Sequence, residues 1–192
     1  MKQVVLIGDS IRMGYQPVVQ AALKGAAEVW GPDANGGDSA NVLAHLDEWV
    51  IARQPDIVQA NAGLHDIKRP FGARRNQVPL DQYRANLDAL FARIGEETEA
   101  VLIWAKTTPV NERWHHERKG FDRFEADVEA YNAAAVDLAR SYGVPVNDLT
   151  RAVTEGGRDT VLAPDGVHFT PRGYNLLGKA VAACIRPLLS AG

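Results

Sequence analysis

Cysteine is almost absent from this chain. The one residue of that type, Cys184, excludes an intrachain disulfide. Its setting in an apolar helical stretch predicts a buried, unreactive thiol. Long hydrophobic runs are missing as well: no apolar segment approaches the ~20 residues of a membrane-spanning helix. Residues 1–8 read as a strand running straight into a turn, not as a signal peptide, so the expectation is a cytoplasmic protein with no membrane partner. Nor is there a surplus of positive charge. Lys and Arg number 21 against 24 Asp and Glu, for a formal net charge of −3. The cations are scattered, so no basic face argues for a nucleic-acid partner. Repeats and low-complexity segments are lacking too. What is present, 192 residues with 46% hydrophobic and 23% charged, suits one domain over 1–192 with a sizeable core.

Val4-Val5-Leu6-Ile7 is apolar and mostly β-branched, which reads as a buried strand closed by Gly8. Strand-like and helix-like segments then alternate. A helix is predicted over 13–25, with Pro17 in its first turns and Gly25 as its stop. Strands follow at 27–30, 57–60, 101–105 and 144–147. An amphipathic helix is predicted over 39–53, with Val42, Leu43, Leu46, Trp49 and Val50 inward. Further helices fall at 81–94, 122–142 and 171–188, the last with Pro171 at its start. Segments 67–80 and 111–121 read as polar loops, and 150–162 as irregular or briefly helical. Five strands alternating with helices predict a three-layer α/β/α fold: a parallel sheet with right-handed crossovers and helices on both faces.

The chemistry concentrates at the two ends. In Gly8-Asp9-Ser10 the hydroxyl of Ser10 projects from the carboxyl end of a strand, where open α/β sheets bind ligands. It also lies beside N–H groups of a helix N-terminus, which favour developing negative charge. Read alone, Asp9 or Ser10 is equally a helix cap. The far end, Ala163-Pro164-Asp165-Gly166-Val167-His168, places an Asp three residues before a His in a Pro/Gly-marked loop. Such a pair can supply the base and the orienting carboxylate for a serine nucleophile. Read alone, it is a loop His with an Asp cap ahead of the last helix.

Together the two ends resemble the SGNH (GDSL-like) hydrolase family, whose first block is Gly-Asp-Ser and whose last is Asp-x-x-His. The resemblance implies the flavodoxin-like strand order 2-1-3-4-5, with Ser10 as nucleophile, His168 as base and Asp165 as its orienter. It implies neither cofactor nor metal. The adjacent His115-His116 point apart on most backbones and read as a solvated loop rather than as metal ligands. The family's second block is a glycine whose N–H joins that of Ser10 in an oxyanion hole; Gly37 of Asn35-Gly36-Gly37-Asp38-Ser39 matches it, with Gly36 one residue away. Its third block is Gly-x-Asn-Asp, and here the chain departs: Gly63-Leu64-His65-Asp66 puts His65 where the Asn is expected. An imidazole N–H can donate the same hydrogen bond. The competing reading has His65 held behind the site by Asp66, and Asn61 is an alternative side-chain donor.

The resemblance thus implies an ester hydrolase working through an acyl-enzyme, and the character of the flanking loops turns the expectation to short-acyl carboxylic esters. Around the expected site, loops 67–80 and 111–121 carry Lys68, Arg69, Arg74, Arg75, Arg113 and Arg118 with Phe71, Trp114 and Phe121 interspersed. Aromatic surface amid polar groups suits a small-molecule ester or acylated-sugar substrate. The same cations suit an anionic acyl donor, and plain exposed loops are the simplest alternative. A thioesterase or acyltransferase of the same fold is the enzymatic rival. A non-catalytic flavodoxin-like module, using Asp9 and Asp66 for a cation, is the rival of another class.

Overall fold

The structure, a computed structural model, describes residues 1–190. Its strands in chain order are β1 (Lys2–Ile7), β2 (Ala27–Trp30), β3 (Ile57–Ala60), β4 (Arg69–Pro70), β5 (Val101–Ala105), β6 (Phe121–Asp122) and β7 (Val146–Asn147). Five of them form a parallel sheet in the order β2-β1-β3-β5-β7, while β4 and β6 pair as a separate antiparallel ribbon. With the ribbon strands set aside, this is the expected 2-1-3-4-5 order. The apolar runs explain the centre: all four residues of β3 are buried, and Val4 to Ile7 of β1 are buried against them in register Val4↔Ile57 to Ile7↔Ala60. Strands covered on both faces need such continuous apolar sequence.

The helices are α1 (Ser10–Ala22), α2 (Ser39–Ala44), α3 (Leu46–Trp49), α4 (Leu80–Glu97), α5 (Glu112–Arg118), α6 (Glu125–Ser141), α7 (Leu149–Glu155), α8 (Arg158–Val161) and α9 (Pro171–Ile185). α1 packs on α9, and α4 packs on α2 and α6. The apolar stripe of α4, Tyr83, Leu87, Leu90, Phe91 and Ile94, is buried throughout.

Several boundaries differ from expectation for local reasons. α1 begins at Ser10 rather than 13, because Asp9 caps it by accepting the Ile11 N–H at 2.9 Å. The helix expected over 39–53 is interrupted at His45 (φ −102°, ψ 8°), whose backbone N–H and Nδ1 both address the Asn41 carbonyl; a short 3₁₀ turn, Ile51–Arg53, ends the segment. The loops 67–80 and 111–121 are partly ordered: they meet as the β4–β6 ribbon, and α5 precedes it. That ribbon holds Phe121 and Asp122 extended, so α6 starts at Glu125 rather than 122. Segment 150–162 is helical as α7 and α8. The last helix stops at Ile185 and tightens into a 3₁₀ turn over Arg186–Leu189. Cys184 is half-buried rather than buried. Among the described residues no helix is long and apolar enough to cross a membrane.

Candidate active site

Ser10 is the first residue of α1, directly beyond the carboxyl end of the central strand β1. Its backbone N–H belongs to the turn in which helical N–H groups lack an intrahelical partner and carry the positive end of the helix dipole. The cap falls on Asp9, which leaves the Ser10 hydroxyl free to face elsewhere.

It faces the last loop. Ser10 Oγ lies 2.9 Å from His168 Nε2, and His168 Nδ1 lies 2.6 Å from Asp165 Oδ2. The loop is shaped by its own hydrogen bonds. Ala163 N–H donates to the His168 carbonyl at 2.7 Å, and an antiparallel bridge joins Leu162 to Phe169. Asp165 Oδ1 accepts the N–H groups of Val167 and His168 at 3.1 and 3.0 Å. Burial works to raise the Asp165 carboxyl, but the bonds from the His168 side chain and these two N–H groups outweigh it and hold it below the usual carboxylate range. An ionised carboxylate fixed this way orients the imbalance of charge that an imidazolium would create.

The loop after β2 carries Asn35, Gly36 and Gly37. Gly36 donates its N–H to Gly8 O at 3.0 Å, and a Cβ there would sit 2.6 Å from the same oxygen. Only glycine allows so close an approach to the Ser10 turn. Gly37 adopts φ +65°, and its N–H donates to Asn35 Oδ1 at 2.9 Å. Asn35, not Gly37, reaches the pocket described below. What anchors this loop is Arg12, whose role the sequence pattern did not reveal. It is buried on the inner side of α1 and donates to the carbonyls of Pro32 and Ala34, each at 2.8 Å. Arg12→Met keeps the stem but strips two buried carbonyls of a charged donor. The expected result is a loss of at least about 2 kcal/mol by chemical denaturation; an unchanged midpoint would show that the loop holds itself.

The loop after β3 brings His65 to the site but not in the company of Asp66. The Asp66 carboxylate is fully buried and accepts from Ser39 N–H and, at 2.5 Å, from Ser39 Oγ. Asn86 completes the group by donating to Ser39 Oγ. Asp66 therefore ties the third loop to α2, and among the described residues the His65–Asp66 pair of the competing reading does not form. Burial raises the Asp66 carboxyl to about 7 against these bonds. His65 Nε2 instead lies 4.0 Å from Asp9 Oδ2. Burial, then the nearby charges of Lys68 and Arg123, lower its imidazole to about 4, so it is neutral at physiological pH. Asn61, the alternative donor, spends its amide on the Ala105 carbonyl at 2.8 Å.

These groups open into a pocket of about 250 Å³ bounded by Asp9, Ser10, Asn35, His65, His168 and the ribbon residues Phe121 and Arg123. Arg123 is buried, and its Nε donates to Leu64 O at 2.5 Å. Burial lowers it to about 10, which leaves it charged at neutral pH. The adjacent histidines point apart but do not form a solvated loop: both lie in α5, where His115 is buried edge-on to Phe121, while His116 is exposed and 2.7 Å from Asp122 Oδ1.

Burial likewise lowers His115 to about 4, and among the described residues its Nε2 has no partner. Between about pH 4 and the unfolded-state value of about 6.5, the unfolded chain binds a proton at this position that the folded chain refuses, so stability falls as pH falls through that window. Asp66 acts with the opposite sign, so the test is a difference. His115→Phe should remove on the order of 2 kcal/mol of the acid-side loss relative to the parent chain, measured by urea denaturation at several pH values. Parallel curves would refute the buried neutral imidazole.

Fold and site geometry together lead to one family, and the comparisons with known proteins agree on it. Residues 6–176 match the GDSL-like lipase/acylhydrolase family, and the chain belongs to it. In structure it is similar to a lipase/acylhydrolase from Enterococcus faecalis, with 25% identity, a TM-score of 0.82 and coverage of 97% of this chain and 96% of that one. An acetylxylan esterase from Geobacillus stearothermophilus shares the fold, with 20% identity, a TM-score of 0.77 and coverage of 97% and 94%. In sequence it is 24% identical over 160 residues to the minor tail protein Gp26 of Mycobacterium phage L5, covering 78% of this chain. The match spans only 18% of that much longer relative.

Proposed function

We propose that the protein is a serine esterase in which Ser10 is the nucleophile, His168 the general base and Asp165 the residue that orients it. The observation that carries this reading is the hydrogen-bonded series from Ser10 Oγ through His168 to Asp165 Oδ2. Ser10 Oγ attacks the ester carbonyl while His168 Nε2 takes its proton. The tetrahedral intermediate collapses as that proton passes to the leaving alcohol. Water, deprotonated by His168, then attacks the acyl-enzyme and releases the acid and free Ser10. The developing oxyanion faces the Ser10 N–H at the helix N-terminus and the imidazole N–H of His65. Gly37 N–H joins them by exchanging its bond to Asn35 for one to substrate.

A pocket of about 250 Å³ limits the acyl group to a short chain. Phe121 beside Asn35, His65 and Arg123 in the pocket wall suits an acylated carbohydrate or a similar small alcohol. A panel of nitrophenyl esters of increasing chain length, run beside acetylated sugars and acyl thioesters with Ser10→Ala as blank, tests this. The fastest turnover should fall on acetyl or similarly short esters. A maximum on long chains or on thioesters would reassign the substrate class.

His65 is the point at which this chain leaves its family's pattern, and it makes a separate prediction. His65→Ala should lower kcat by roughly 10²-fold with little change in KM, as for a group that acts in the transition state. His65→Asn should recover much of that loss, because an amide can donate from a similar reach. Full activity in the alanine variant would remove His65 from the oxyanion site.

A further inference from the structure

We propose that the pocket selects esters that carry an anionic group, such as a carboxylate on the acyl chain or on the alcohol. This inference rests on the esterase reading above and deepens it. Lys68, Lys119 and Arg123 all border the pocket that contains Ser10. Lys119 is accounted for, with Nζ 3.4 Å from Asp165 Oδ2. The other two are not: among the described residues neither Lys68 nor Arg123 forms an ion pair. Both lie against one ring, Lys68 Nζ 5.5 Å and the Arg123 guanidinium 5.0 Å from the centre of Phe121. Arg123 is also 5% exposed, and the bond from Nε to Leu64 O fixes its guanidinium at the pocket.

Two like charges held together and partly out of water repel each other, and a partner anion relieves that cost. The surrounding carboxylates act on them without an ion pair: Asp38 and Asp9 on Lys68, Asp9 and Asp165 on Arg123. The one carboxylate bordering the pocket, Asp9, is buried, which disfavours its charged form, and its Oδ1 is committed to the Ile11 N–H. His65 is neutral. Desolvation lowers Lys68, and the charge of Arg123 adds to that effect. A substrate carboxylate would meet two donors of complementary charge a few bonds from the reacting carbonyl. A fixed guanidinium recognises it bidentately, and the ammonium acts as a mobile point charge. Neutral acetyl esters would leave both cations unpaired.

Lys68, half-exposed at the rim, is the residue to change, because loss of Arg123 would also unseat Leu64. Two matched pairs of substrates separate the two sources of the anion. One pair is 4-nitrophenyl hemisuccinate against 4-nitrophenyl butyrate, and the other is acetylated galacturonic acid against acetylated galactose. In at least one pair kcat/KM should favour the anionic member by tenfold or more at low ionic strength. The ratio should shrink as salt is raised and fall below one in Lys68→Glu. Calorimetric titration of succinate and galacturonate into Ser10→Ala protein reads the same site without turnover, and binding should vanish in Ser10→Ala/Lys68→Glu. Hydrolysis without charge preference in either pair would overturn this inference and leave the esterase reading standing. Anion binding abolished by Lys68→Glu, with no ester hydrolysed, would overturn the esterase reading and leave only the anion site standing. Failure of both anions to bind would also overturn this inference.

Discussion

Ser10→Ala lowers kcat/KM for the best short-chain ester by on the order of 10³-fold or more, with the thermal midpoint nearly unchanged. Both halves of that expectation follow from position. Ser10 is the first residue of α1, where alanine is well tolerated and where Asp9, not Ser10, provides the cap. The one side-chain bond lost is that to His168, which is itself partly exposed. Stability therefore has little to lose, and chemistry has its nucleophile to lose. The variant keeps the helix N-terminus and the pocket, so substrate binding should persist. A variant that unfolds, or that retains more than about a tenth of parental activity, would contradict the assignment.

The second large effect belongs to the base. His168→Ala should be nearly as damaging as Ser10→Ala, and the double variant little worse than either single one, because the three residues act as a unit. Asp165→Ala should cost less, on the order of 10²-fold. The loop would still hold the imidazole through the Ala163–His168 backbone bond. Two consequences of the Asp165 environment sharpen the test. Its carboxyl is held below the usual range, so in the folded protein it stays ionised well into the acid, and the acid limb of the rate profile does not report its protonation. A group whose folded pKa is depressed adds stability that is present above its unfolded value and is lost as pH falls through the folded one. Asp165→Ala should therefore be less stable than the parent at neutral pH, and the two should converge in strong acid. A multiplicative loss of activity in the double variant would mean that Ser10 and His168 act independently.

The sheet and the ends of the site were readable in the residues because each is written in a short stretch. Val4–Ile7, Ile57–Ala60 and Val101–Ala105 announce buried parallel strands by composition alone. Gly8-Asp9-Ser10 and Asp165-Gly166-Val167-His168 are contiguous blocks, and the fold needed only to bring them together. What escaped was relational. Two-residue strands have no periodicity, so nothing in 67–80 or 111–121 disclosed that Arg69 pairs with Asp122 and Pro70 with Phe121. Arg123, one residue past that ribbon, falls inside the helix predicted over 122–142, whereas in the structure it borders the pocket. Arg12 looked like an ordinary polar position on a helix, yet it carries the loop on which Gly36 and Gly37 sit. Asp66 invited pairing with its neighbour in sequence, His65, but its partner is Ser39, 27 positions away.

The most direct measurement is reaction with a serine-directed fluorophosphonate, followed by intact-mass analysis and peptide mapping. An activated nucleophile beside a base should add one adduct per chain, on Ser10, in step with the loss of esterase activity. His168→Ala should slow the labelling by orders of magnitude, and Ser10→Ala should abolish it. Labelling at another residue, or full activity after stoichiometric modification of Ser10, would contradict the account.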